Sequence, residues 1–264
     1  MGRVEVFRLG IAPLKQSPRK VYVYLPNDYD TSDRVYPVLY MFDGHNLFSD
    51  KTATYGKCWG IRDYLEQNDI PLVVIGQDCN HTGNRRLMEY CPLPPDTDTW
   101  FPKGKVLGDI TAEWFVTKLK PYCEKHYRIY SDRAHTGIAG SSMGGLMSIY
   151  CIAKYNQVFS KAACVSSTMD ITKDSLPELI RSSRISPSTR IYLDFGSREL
   201  KPKQAFAESV HRMLEINHAF QQKHCNTYPN VVVGGYHNEA TWETVVPLFL
   251  EYLYPELYRN GAPK

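Results

Sequence analysis

Residues 140–144 read Gly-Ser-Ser-Met-Gly, a G-x-S-x-G pentapeptide centred on Ser142. A serine hydroxyl attacks a carbonyl best from the apex of a sharp strand-to-helix turn, and glycines two residues either side leave no Cβ to collide there. Ser141 is also a hydroxyl, but it is off the centre of the glycine pair. A neutral serine needs a base, and the base needs an acid to hold it. In this kind of site the partners follow in chain order serine, acid, histidine, each after a later strand. His237 lies in VVVGGYHNEATW, past the last β-type run and before the last helical pattern. His211, His218 and His224 fall within or at the end of a helical pattern and read as surface residues. For the acid, IYLDFGSREL offers Glu199 in the loop after Gly196 as first choice. Asp194, inside the run, is second. A surface ion pair with Arg198 is the plain alternative for Glu199. Two backbone amides suit the oxyanion: that of Met143, just after the nucleophile, and that of His45 in YMFDGHNLF. The imidazole of His45 precedes the nucleophile in the chain, so only its amide is assigned.

These residues require a scaffold that brings distant loops to one edge. Short apolar or alternating runs occur at Val4–Leu9, Val21–Leu25, Pro37–Phe42, Ile70–Gly76, Thr136–Ala139, Ala162–Ser166, Ile191–Phe195 and Val231–Val233. Helical spacing appears over Leu107–His126, Leu146–Tyr155 and roughly Gln204–Lys223. It is clearest at Trp242, Val245, Val246, Phe249, Leu250 and Leu253, one apolar face. Strands alternating with helices predict an α/β fold, with a mostly parallel central sheet flanked by helices on both faces. With no repeat or linker in sight, residues 1–264 read as a single domain. An irregular, proline-rich stretch at 79–104, carrying Tyr90, Trp100 and Phe101, is expected to border the active site.

Composition narrows the function classes. A formal charge of +3 without a Lys/Arg run gives no basis for nucleic-acid binding. The seven cysteines form no CxxC pair, and neither they nor an HExxH motif announce a metal site, so no cofactor or metal is expected. No apolar stretch is long enough to span a bilayer, the N-terminus lacks the apolar core of a secretory signal, and a cytoplasmic location is the default expectation. A homo-oligomer is compatible with everything in the sequence.

VYVYLP, YPVLYMFDGHNLF, GSSMGGL followed by YCIAKYNQVFS, YLDFGSRE and GGYHNEATW, in that order, resemble the esterase family of α/β-hydrolases that includes S-formylglutathione hydrolase (esterase D), feruloyl esterases and siderophore esterases. The matching segments run from about residue 20 to 254. The resemblance implies an α/β-hydrolase fold, a triad of Ser142, Glu199 and His237, and an oxyanion hole from the amides of His45 and Met143. Glu199 stands where the family usually carries Asp. The resemblance also implies that RLMEY (86–90) borders the substrate cleft, with Glu89 and Tyr90 in contact with substrate. Glu89 could equally pair with Arg85 or Arg86. Trp59 is either a wall of the acyl pocket or a packing residue, and Trp100 is a further candidate for substrate contact. The expected activity is a serine carboxylic-ester hydrolase working through an acyl-enzyme on a small-molecule ester with a small or aromatic acyl group. An acyltransferase, a peptidase and a non-catalytic binding protein on the same scaffold are the rivals.

Overall fold

The computed structural model describes residues 2–14, 18–96 and 100–258. Eight strands form one sheet: β1 (Arg3–Leu9), β2 (Arg19–Leu25), β3 (Val38–Phe42), β4 (Val73–Gln77), β5 (Thr136–Ser141), β6 (Lys161–Val165), β7 (Arg190–Gly196) and β8 (Asn226–Val232). Their order across the sheet is β1-β2-β4-β3-β5-β6-β7-β8. β2 pairs antiparallel with β1 and β4, and every later pairing is parallel. All eight expected runs became strands. The last is displaced: β8 starts five residues before Val231, and Val233 is exposed beyond its end. Edge position explains the miss, since β8 is buried on neither face and its Asn226, Pro229 and Asn230 hide the pattern.

The helices are α1 (Ile61–Gln67), α2 (Arg85–Glu89), α3 (Gly108–Trp114), α4 (Lys120–His126), α5 (Met143–Lys154), α6 (Ser175–Ser182), α7 (Lys203–Gln221) and α8 (Glu239–Leu253). The expected helix over 107–126 is a continuous rod, but Phe115–Leu119 widens to a π-turn between α3 and α4. Pro121 has no N–H to give the carbonyl four residues back, which removes an α-type bond at that point. The helices α1, α2 and α6 are not among the expected helical stretches; none exceeds eight residues.

Successive residues of the central strands feed two separate cores. Val38, Tyr40 and Phe42 join the layer under α3, α4 and α5, whereas Leu39 and Met41 join the one under α8. Trp242, Val245, Phe249 and Leu253 of α8 lie in that second core, each fully or nearly buried. Each such side chain contributes about 2 kcal/mol by leaving water. Helices on both faces leave the C-terminal edge of the parallel strands as the place where loops converge. All seven cysteines are buried and free. Among the described residues, no helix is long and apolar enough to cross a membrane.

Candidate active site

Ser142 lies between β5 and α5 with φ 57° and ψ −123°, a backbone region that a residue with a Cβ occupies only under strain. Its surroundings hold it there. Ser142 N donates to Val165 O at 3.0 Å, and Ser142 O accepts from Leu146 N at 3.1 Å and Thr168 N at 3.2 Å. A Cβ on Gly140 would stand 2.7 Å from the backbone of Gly144, so the two glycines of the pentapeptide pass each other too closely for any side chain. The Ser142 hydroxyl lies 3.3 Å from Thr168 Oγ1.

His237 sits in the loop between β8 and α8, partly exposed, and its Nδ1 lies 2.6 Å from Glu199 Oε2. An ionised carboxylate can only accept, so this contact places the proton on Nδ1 and leaves the Nε2 lone pair available. Glu199 is itself fixed. Its side chain is 1% exposed, and Oε1 accepts from Ser166 Oγ and Gly196 N, each at 2.6 Å. Ser166 Oγ in turn accepts from Trp242 Nε1 at 3.0 Å. Ser142, Glu199 and His237 all line one cavity of about 950 Å³. Asp194 does not reach the imidazole. It stays in β7, accepting from Ser166 N at 2.8 Å and Tyr192 O–H at 2.9 Å. Complete burial, with the nearby charge of Glu199, pushes its carboxyl up to about 7.

The turn after β3 packs against the nucleophile's turn, where a Cβ on Gly144 would stand 3.5 Å from Asp43 Oδ2. Asp43 adopts φ 56° and ψ 49°, and Gly44–Asn46 form a single 3-10 turn. A Cβ on Gly44 would land on the carbonyl of Gly76, so only glycine lets this turn press against β4. Arg86 clasps Asp43 with two hydrogen bonds, Nε to Oδ1 at 2.8 Å and an η-nitrogen to Oδ2 at 2.7 Å. Asn46 Nδ2 donates to Glu239 Oε1 at 3.1 Å, tying the turn to the start of α8, two residues beyond His237. Burial raises the carboxyl of Glu239. The amide of Met143 is the first of α5, where no intrahelical acceptor exists for it.

Several expected contacts belong elsewhere. Tyr90 is fully buried; its hydroxyl donates to Gln77 Oε1 at 2.8 Å and accepts from Asp43 N at 3.3 Å, so it props the turn and does not border the cavity. Glu89 is buried too, paired with Arg19 and accepting from Asn80 Nδ2 at 2.7 Å, and with neither Arg85 nor Arg86. Trp59 packs against Trp242 and Phe249 at ring distances of 5.6 and 6.3 Å, a core residue and not a pocket wall. Within RLMEY it is the polar partners of Glu89 and Tyr90 that hold these two side chains inward, away from the cavity. Trp100 does line the cavity, its Nε1 donating to Asp170 Oδ2 at 2.8 Å. Residues 97–99 of the expected loop lie outside the described residues. Sequence reasoning missed Ser166, Arg86 and Thr168. None of these three roles leaves a mark in the sequence.

A family described as “Putative esterase” matches residues 14–247. The chain belongs to this family. Among curated relatives of this esterase, an uncharacterized protein YbbA of Bacillus subtilis is 28% identical over 216 residues, covering 76% of this chain and 80% of the relative. Esterase Rv1288 of Mycobacterium tuberculosis is 31% identical over 158 residues, 58% of this chain but only 30% of the longer protein. Among solved structures, a ferulic acid esterase superposes with a TM-score of 0.69 at 18% identity, covering 98% of both chains. Such likeness bears on the fold, which is that of the α/β-hydrolases.

Proposed function

We propose that this chain is a serine carboxylic-ester hydrolase that works through an acyl-enzyme on Ser142. The observation that carries the reading is the Glu199–His237 contact at the cavity that Ser142 lines from a strained turn. His237 Nε2 takes the proton from Ser142 as its oxygen attacks the ester carbonyl, and Glu199 stabilises the imidazolium without taking that proton. The amides of Met143 and His45 hold the oxyanion, each donor worth about 3 kcal/mol at the transition state. His237 then protonates the departing alcohol, and water repeats the cycle to release the acid. Trp100, Phe195 and Leu200 give the cavity an apolar side that suits a small or aromatic acyl group. Substitution Ser142→Ala, which removes one oxygen from a half-buried position, is expected to leave the circular dichroism spectrum unchanged and abolish hydrolysis of p-nitrophenyl butyrate. Full activity in the purified variant would remove Ser142 from its role.

A further inference from the structure

Away from the cavity of Ser142, the loops after β3 and β4 gather His45, Asp78, Cys79 and His81, whose donor atoms lie within 4.8 Å of one another. One oxygen, Asp78 Oδ1, is shared between two imidazoles, 2.8 Å from His45 Nδ1 and 2.9 Å from His81 Nε2. The rings meet edge to face with centroids 4.6 Å apart. Both imidazoles thus reach the same buried carboxylate oxygen, His45 from a buried position and His81 from an exposed one. Two imidazole nitrogens and a carboxylate oxygen converging from two loops are disposed as neighbouring ligands of one ion. With bonds of about 2.05 Å, tetrahedral ligand atoms lie ~3.3 Å apart, so an ion requires these atoms to part by about half an ångström. His45 Nε2 is 2.9 Å from Thr54 Oγ1, the outer contact that orients a ligating imidazole.

We propose that His45 Nδ1, Asp78 Oδ1 and His81 Nε2 form a binding site for a divalent first-row transition metal ion, Zn²⁺ in particular. Two imidazoles and a carboxylate suit such an ion better than Mg²⁺ or Ca²⁺, which take oxygen ligands. Cys79 Sγ stands 3.9 Å from His81 Nδ1, the ring nitrogen on the other side from Asp78, and is left out of the set. The three ligands line a second cavity of about 590 Å³, which provides an entry path and room for water on the open coordination positions. Arg8, Arg19 and Lys20 line the same cavity and oppose a cation, so direct ligation has to supply the affinity. Neither HExxH nor CxxC describes the set, because its members come from two loops. A bound ion would lock the turn after β3 to the loop after β4.

Zn²⁺ titrated calorimetrically into the chelator-treated full chain at pH 7.5 tests the site, with His81→Ala beside it. The His81 side chain is 56% exposed, so its removal leaves the fold in place. One ion is expected to bind per wild-type chain, and at least ~100-fold more weakly to the variant, a lost ligand costing more than a lost outer partner. No binding to the wild type overturns the proposal. Equal affinity in the variant also overturns it, by placing the zinc on surface histidines.

Discussion

At the scale of single residues, the candidate site turns on how Glu199 is held. Two oxygens carry different duties: Oε2 orients His237, while Oε1 is anchored by Ser166 and Gly196. Ser166, itself held by Trp242, fixes the buried carboxylate of Glu199. Glu199→Gln keeps the shape but presents an amide, which favours the wrong tautomer of His237. The expected result is a fall in kcat of roughly 10³ to 10⁴ with little change in thermal midpoint. A drop below tenfold would show that the imidazole does not depend on this carboxylate. The meeting of Ser142, His237 and Glu199 at one cavity was legible because each follows a strand, in the chain order the chemistry dictates. Ser166 was not, since a serine that hydrogen-bonds a carboxylate looks like any other in sequence.

At the scale of elements, the turn after β3 is where local sequence and tertiary packing meet. Asp43 takes a left-handed backbone and Gly44 fits against Gly76, but Arg86 from α2 holds the result in place. Arg86→Gln leaves the carboxylate of Asp43 buried and unpaired, costing about 3 kcal/mol. Because the turn carries the amide of His45, kcat is also expected to fall at least tenfold, with KM changed far less. Urea unfolding and steady-state kinetics on p-nitrophenyl butyrate check the two effects, and a variant as stable and active as wild type would show that the turn holds itself. Nothing in RLMEY marks Arg86 as a clasp for Asp43, 43 positions away in the chain. Long-range pairing of this kind leaves no periodic trace.

At the scale of the whole molecule, the inner strands were readable because buried strands are short, apolar and stopped by turns. The reading blurred at the sheet edge and over α1, α2 and α6, where short length or mixed burial weakens the pattern. Burial of Asp194 on β7, next to the sheet edge, has a consequence for global stability. Its carboxyl titrates near 7 in the fold, raised above the unfolded value of 3.8. The folded state therefore binds the extra proton between those values, so this group's contribution is full below pH 4, declines up to about pH 7 and levels off above. The slope is on the order of 1 kcal/mol per pH unit. Urea unfolding of wild type and Asp194→Asn at pH 5, 6 and 8 checks the sign: the wild type should lose stability relative to the variant as pH rises. Parallel profiles would mean that Asp194 stays ionised throughout.

Covalent labelling tests the central claim most directly. A fluorophosphonate reacts with a serine only when a neighbouring base and an oxyanion site activate it. Peptide mapping of the labelled protein by mass spectrometry should find one adduct, on Ser142, and none after Ser142→Ala or His237→Ala. Absence of label on the folded wild type, or an adduct on another residue, would contradict the assignment.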